Sequence, residues 1–417
     1  MDRRGFIVGA TATLGAVAAK AAPTTRKEIK VERLVADDAP PRNRRPYADV
    51  DWSKSILINT TSHGHCLNQM MLDTYLKHGF GLMTISNYYP SAPYVPGKGM
   101  AVGHYLVHHD FPVMVNGKRT GGPFDWSKIV SEWSEELPPE LRKSLPFKVG
   151  EPMFPKWPEG ILEAPNAEHH GFRLANGRHA GSLHMCAPGS AFKSGTFDAH
   201  DKFKTKSHGY EYGSGEFWGT AVDRLIGGLI VKDGGGVTIN HPTWTNLRRD
   251  LLLDILDWDP RVLGIEVLES GVNSEHYWDW ALATGRQCFG FFVPDWGLKN
   301  DIFGVNVLVV PERTVEACLR AYRKGNFYGA NHGYGELRFT KLSFDGKFVT
   351  AETDKPARFE IKTARGVVKE ATGTSVVWEM IPRGSSRGPH VDIFARVKAT
   401  AADGCGEQLY SQPFMLF

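Results

Sequence analysis

The sequence predicts an α/β protein: a parallel α/β barrel with long insertions, followed by a small antiparallel β-sandwich. Three observations lead there. From Ser55 to Lys324, short apolar runs alternate with stretches of helical spacing, the rhythm of strand–helix–strand units. Beyond Gly325 the helical period disappears, and strand-like runs follow one another between Gly, Asp and Ser turns. Residues suited to metal or acid–base chemistry gather at the ends of the inferred strands, where α/β barrels place their catalytic groups.

Composition bounds the reading. The 417 residues, 41% hydrophobic and 23% charged, fit a globular chain with one large domain and a smaller one. A net charge of +3 without a long basic block argues against nucleic acid as a partner. Sixteen histidines point to metal or proton chemistry, and eleven tryptophans to aromatic surfaces that hold sugars or other flat ligands. The start combines the pair Arg3-Arg4, a short apolar run and Ala19-Lys20-Ala21. That order predicts a twin-arginine export signal over residues 1–22 and a periplasmic or secreted protein. The apolar run is too short to span a bilayer, and no later segment does so, which predicts a mature protein without a membrane span. Five scattered cysteines (Cys66, Cys186, Cys288, Cys318 and Cys405) form no disulfide framework and read as buried thiols.

In chain order, residues 23–50 are an extended, polar lead-in, and residues 51–333 are the barrel. Ile56–Ile58 is its first strand. A helix follows over Leu67–His78, with apolar residues at Leu67, Met70, Met71, Tyr75 and Leu76 and a stop at Gly79. Phe80–Ile85 is a strand closed by Ser86-Asn87-Tyr88. Residues 90–157, rich in Pro, Gly and Trp with one helix near Trp126–Leu137, form an insertion of the kind that carries binding loops. Gly160–Glu168 returns to strand character, and residues 170–218 are a second insertion. Helices at Ala221–Val231, Leu247–Leu256, His276–Thr284 and Thr314–Lys324 then alternate with strands at Gly235–Asn240, Val262–Leu268, Cys288–Val293 and Asp301–Val310. Residues 334–417 form the β domain.

His63 and His65 stand one residue apart at the end of the first strand, so both imidazoles face one side, within reach of a single ion. Glu168, His184, His241 and Asp295 follow at later strand ends, and Asn87 and Tyr88 stand where a substrate would be met. Glu163 competes with Glu168, and His169, His170 and His179 compete with His184. His104, His108, His208, Tyr210 and Glu211 lie in the insertions and read as loop residues. Arg248 and Arg249 are placed to hold a phosphate or are helix-surface charges.

These motifs, in this order, resemble the polymerase-and-histidinol-phosphatase (PHP) family of metal-dependent phosphoesterases. The resemblance runs from Ser55 to Gly333 through His63-Gly64-His65, Pro165-Asn166-Ala167-Glu168, Ser182-Leu183-His184-Met185, Gly236 to Pro242 ending in His241-Pro242, Gly264 to Val267, and Pro294-Asp295-Trp296-Gly297. It implies a distorted (βα)7 TIM-like barrel. His63, His65, Glu168 and Asp295 would hold one divalent ion, with Glu168 bridging to a second held by His184 and His241. The family's Thr-Asp-His and final Asp-x-His motifs are replaced by Ser86-Asn87-Tyr88 and Pro294-Asp295-Trp296-Gly297, and Asn68 stands near its third-metal histidine. The partners of a third ion are therefore missing, and two divalent ions, Zn, Mn or Fe, are implied. The expected activity is hydrolysis of a small-molecule or glycan-linked phosphoester, with Asp295, Glu168 and His241 closest to the chemistry. Two alternatives stay open: a metal-dependent enzyme on a carbohydrate-linked, non-phosphate substrate, and a non-catalytic binding protein on a decayed barrel.

Overall fold

Two large sheets carry the fold. The structure, a computed structural model, describes residues 33–87, 96–100, 152–192, 216–296, 298, 303–331, 335–382 and 391–416, and two short strands at 114–115 and 118–119. Within the described residues the architecture is mixed α/β, with five α-helices.

The first sheet has nine strands. Its main path runs from Ile56–Thr60 through Val305–Val310, Phe327–Ala330, Gln408–Tyr410, Phe394–Ala401 and Phe348–Thr363 to Phe339–Phe344, and Gly366–Glu379 and Phe414–Met415 pair off this path. The second has six: Val272–Asn273, Val262–Glu269, Val237–Ile239, Met185–Cys186 and Glu168–His169 in order, with Phe289–Val293 also pairing Val262–Glu269. The parallel core expected of a βα barrel is present where Val237–Ile239, Val262–Glu269 and Phe289–Val293 lie side by side. All eight residues of Val262–Glu269 are buried, as a strand covered on both faces requires.

Among the described residues, the ladders do not trace a closed (βα)7 barrel. Ile56–Thr60 pairs antiparallel with Val305–Val310, and Met185–Cys186 is antiparallel to both of its neighbours. The gaps between the ladders are crossed by isolated bridges, Asn59 to Phe80 and Gly64 to Asp295. The physical reason is strand length. Leu82–Met83, Leu162–Glu163 and Glu168–His169 are two residues each, because Pro and Gly punctuate those segments, and so short a strand cannot sustain a continuous ladder.

The C-terminal strands continue the first sheet by hydrogen bonding. Phe327–Ala330, which the sequence reading passed over, pairs with Val305–Val310 on one side and Gln408–Tyr410 on the other. It joins the C-terminal strands to the first sheet. Phe348–Thr363 runs as one strand of 16 residues where two were expected. The helix expected near Trp126–Leu137 lies outside the described residues.

Helices pack on the sheets by burying one stripe. Arg249–Trp258 buries Leu251, Leu252, Ile255 and Leu256, and Glu275–Ala283 buries Tyr277, Trp278, Ala281 and Leu282. Each of these buried leucines and isoleucines stabilises the fold by about 1.5–3 kcal/mol. Val315–Lys324 starts where Thr314 accepts a hydrogen bond from Ala317 N and stops at Gly325, whose φ of 73° suits glycine. The lead-in is stitched to this body: Arg33 reaches Asp223 at 3.0 Å and Asp259 at 2.7 Å, and Tyr47 donates to Phe327 O at 2.6 Å. Cys66, Cys186, Cys288 and Cys318 are buried free thiols, and Cys405 is exposed. No helix among the described residues is long and apolar enough to cross a membrane.

Candidate metal centre

Strand ends converge because the backbone pins them together. His65 N donates to Asp295 O at 3.1 Å and Asp295 N to His63 O at 3.2 Å, joining the end of the first strand to that of Phe289–Val293. Ser86 N donates to Gly64 O at 3.0 Å, and Glu168 N to Ser86 O at 2.8 Å, which brings in two more segments. Asn166 ties a third junction, donating to Ser62 O at 2.8 Å and accepting from Ala187 N at 3.0 Å. Gly64 is required here: a Cβ at this position would sit 2.3 Å from the Tyr75 hydroxyl, which itself donates to His65 O at 3.2 Å.

Six side chains meet inside this knot. His63, His65, Glu168 and Asp295 form one group, and Glu168, His184 and His241 another; within each, the ligating atoms lie within 4.8 Å of one another. His63 Nε2 is 3.2 Å from Glu168 Oε2 and 3.0 Å from Asp295 Oδ1, and His65 Nε2 is 3.2 Å from both oxygens. Glu168 presents its other oxygen to the second group: Oε1 lies 2.7 Å from His184 Nδ1 and 3.2 Å from His241 Nε2.

The donor set fits divalent ions. Four ligands about 2.0 Å from a tetrahedral ion are about 3.3 Å from one another, close to the 3.0–3.2 Å spacing in the first group. His63 Nε2 and Asp295 Oδ1 are buried and lack a hydrogen-bond partner despite their closeness. Groups held at ligand spacing but off hydrogen-bond alignment are what a cation between them would satisfy.

Glu266 orients both groups. Its Oε1 lies 2.9 Å from His63 Nδ1, and its Oε2 accepts from His241 N at 2.7 Å. With a cation between the groups, a carboxylate at that distance puts the His63 proton on Nδ1 and leaves the Nε2 lone pair facing Glu168 and Asp295, the tautomer a ligand needs. Asn240 lies against the same ring, its Nδ2 3.2 Å from Nδ1 and donating to the Cys186 sulfur at 3.2 Å. His241 and Asp295 both have positive φ, 25° and 47°. Such strain costs about 1–3 kcal/mol at a non-glycine residue and concentrates at functional sites.

Electrostatics follow from the burial of so many charges. Burial alone would raise the Glu168 and Asp295 pKa values, but the histidines around them outweigh it, and both lie well below the usual carboxylate range. Burial alone would lower His63, but Asp295 and Glu168 hold it well above the ordinary histidine value. For His241, too, burial is overridden, by Glu168 and Glu266, and its pKa rises. At His184 burial wins and the pKa falls. Glu269, buried nearby, is pushed up to about 7 by burial, with the Asp295 and Glu266 charges adding to it. The field over the cluster attracts positive charge.

Asp295 and His184 are the ligand-type side chains most open to solvent, at 13% and 17%. Two tryptophans edge the site. Trp296 stacks on His65 at 4.0 Å and 18°, and Trp244, 65% exposed, lies 5.0 Å from the His241 ring.

The other expectations fall as follows. Asn87 is buried and uses both ends of its amide on Cys66, accepting from N at 2.9 Å and donating to O at 2.7 Å, so it braces the chain beyond His65. Tyr88, Gly297, His104, His108, His208, Tyr210 and Glu211 lie outside the described residues. Glu163 accepts from Gly97 N at 2.6 Å, apart from the cluster that holds Glu168. His169 stacks on Phe192, the His170 ring is 4.9 Å from that of His184, and His179 is exposed. Arg248 pairs with Asp250, and Arg249 lies over Trp280. Glu266, Asn240, Trp244 and Trp296 were not singled out from the sequence as site residues. Glu266 had a signal: a lone carboxylate in the apolar run Leu263 to Leu268 is costly to bury unless it has partners.

No protein-family model matches the chain, and no curated protein matches it. Among solved structures, it is similar to a two-domain protein containing a predicted PHP-like metal-dependent phosphoesterase from Bacteroides vulgatus, at 12% identity, over 90% of this chain and 99% of that one, with a TM-score of 0.39. A likeness this loose leaves function to be argued from the residues themselves.

Proposed function

We propose that this chain is a metal-dependent hydrolase acting on phosphate mono- or diesters. The observation that carries the proposal is the division of Glu168, whose two oxygens face two histidine-bearing groups on either side. In this reading His63, His65, Glu168 and Asp295 would hold one divalent ion, and Glu168, His184 and His241 would hold a second. Two such ions, when bound, would lower the pKa of water and neutralise charge growing on a phosphoryl oxygen.

The chain's own residues do the rest. Glu266 fixes the His63 tautomer and the His241 backbone, so that both rings are pre-aimed. Asp295, ionised and partly open to solvent, is placed to orient the attacking water. Buried walls around His63, His65 and Glu168 exclude bulk water and strengthen each interaction inside. The proposal includes export through the twin-arginine signal, supported by Arg3-Arg4 and Ala19-Lys20-Ala21. Replacing Arg3 and Arg4 together by lysine should leave the protein in the cytoplasmic fraction.

A second reading keeps the ions and changes the bond. Trp244 and Trp296 edge the cluster with aromatic faces, as a ring-bearing or glycan-linked ester would require. The test is common to both. The protein should be purified without chelator, its metal content measured, and its turnover followed on p-nitrophenyl phosphate, bis-p-nitrophenyl phosphate and p-nitrophenyl acetate. About two ions per chain with phosphoester turnover support the first reading. Two ions with turnover of the acetate alone support the second, and a chain without metal overturns both.

A further inference from the structure

We infer that the group leaving the phosphoester is a flat aromatic ring and that Trp244, rather than Trp296, is the platform it stacks on. The inference rests on the phosphoester reading and narrows its substrate class. Among the ligand-type side chains, the cluster is most open at Asp295 and His184, and a tryptophan stands beside each. The two tryptophans are not equivalent. Trp296, 37% exposed, uses one face on His65, stacked at 4.0 Å and 18°. Trp244 is 65% exposed and meets His241 at 5.0 Å and 79° and His184 at 6.0 Å and 59°. Among the described residues no aromatic ring is stacked on either of its faces.

The turn that carries Trp244 is closed without help from its indole. Thr245 N donates to His241 O at 3.1 Å, Asn246 N to Thr243 O at 3.2 Å and Leu247 N to Pro242 O at 2.9 Å. The Thr243 and Ser274 hydroxyls lie 2.6 Å apart, and Leu247 buries its own side chain at the far end. The ring is therefore not needed to hold the turn, yet the turn holds its backbone three residues beyond His241. A pre-ordered carrier lowers the ordering cost of binding. The cluster itself is made of charged and polar groups, suited to a phosphoryl group and not to the rest of an ester. An exposed indole face at its opening provides the apolar, planar surface that an aromatic ring covers, and that contact removes both faces from water.

Calorimetric titration of the zinc-loaded, full-length protein with phenylphosphonate, cyclohexylphosphonate and methylphosphonate, at a pH where all three are dianions, tests this without any need for turnover. Phenylphosphonate should bind about tenfold more tightly than methylphosphonate, as expected for a ring stacked on an aromatic side chain, with cyclohexylphosphonate in between. Trp244→Ala should bring the phenyl-to-methyl ratio towards one, and Trp244→Phe, which keeps a flat face, should retain most of it. Each variant's own methylphosphonate affinity is the reference, and elemental analysis should find the ions kept in both; their loss would make Trp244 a support for His241 and overturn the inference. Where methylphosphonate binds, a wild-type ratio near one, a ratio unchanged by Trp244→Ala, or cyclohexylphosphonate as tight as phenylphosphonate overturns the inference and leaves the phosphoester reading standing. Failure of both phenylphosphonate and methylphosphonate to bind a protein that holds its ions overturns that reading, and the inference with it.

Discussion

Glu266→Gln separates an orienting carboxylate from one that merely fills space. The wild-type side chain offers two acceptor oxygens, and both are engaged, at 2.9 Å from His63 Nδ1 and 2.7 Å from His241 N. Glutamine has a single acceptor oxygen and an NH2 group that only donates. If the amide oxygen stays on His241 N, the NH2 faces His63 Nδ1, which must then accept. The imidazole proton moves to Nε2, the atom 3.0 Å from Asp295 and 3.2 Å from Glu168, and the ring can no longer ligate there. Asn240 Nδ2, already 3.2 Å from Nδ1, favours the same switch. If the amide turns over, the NH2 opposes His241 N–H and leaves a buried backbone donor unpaired, at about 1–3 kcal/mol.

Either arrangement disturbs a ligand without removing one. Loss of such supporting contacts lowers metal affinity about 10–100-fold, equivalent to about 1.4–2.7 kcal/mol. The measurement is competition for zinc against a chromophoric chelator, with the melting temperature followed with and without EDTA. The variant should bind zinc more weakly and lose most of the EDTA-sensitive part of its stability. Wild-type affinity in a folded Glu266→Gln protein would refute the tautomer assignment and, with it, ligation through His63 Nε2.

Three further outcomes follow from the same geometry. Glu168→Gln should reduce bound metal at both positions, whereas His184→Ala should leave about one ion per chain, both read by elemental analysis; equal losses would contradict the bridging arrangement. Gly64→Ala drives a Cβ to 2.3 Å from the Tyr75 hydroxyl and should cut metal binding and lower the melting temperature. Tyr75→Phe in the same chain removes the oxygen and should restore part of both; no restoration would mean that the clash lies elsewhere. For Glu275, burial alone would raise the pKa, but Arg396 and its other partners bring it down to about 2. A folded-state pKa below the unfolded value means stability that is present above about pH 4.3 and lost as pH falls towards 2. At about 1.4 kcal/mol per pH unit that contribution is about 3 kcal/mol. In urea titrations the gap between wild type and Glu275→Gln should therefore close between about pH 5 and pH 2, and a pH-independent gap would contradict the pairing.

The elements that sequence reading placed well are those whose period is long enough to count. Helices Gln69–Lys77 and Val315–Lys324 fall within two residues of expectation because their apolar stripes and their stops at Gly79 and Gly325 are local properties. Strand partnership is not local. Nothing in Phe327-Tyr328-Gly329-Ala330 states that it will bridge Val305–Val310 and Gln408–Tyr410, so the C-terminal strands read as a unit of their own. Antiparallel neighbours in a chain with βα rhythm were hidden for the same reason: alternation reports which face a residue takes, and says nothing of the direction of the strand beside it.

The cluster was more legible than the fold that carries it, and the two facts are connected. His63, His65, Glu168, His184, His241 and Asp295 stand out because each is a polar residue just beyond an apolar run, a position with little structural need of one. Those runs are too short to form a regular barrel, and the junctions are closed by hydrogen bonds from Ser86, Asn166 and the Asp295 backbone. His241 and Asp295 take positive φ, outside the strand region, at the points where their side chains turn towards the cluster. The irregularity of these junctions is thus the means by which six ligand-type side chains meet. Substitutions at Asn166 and Ser86, which touch no ligand atom, should therefore disturb metal binding more than equally buried substitutions in the regular strand Phe348–Thr363.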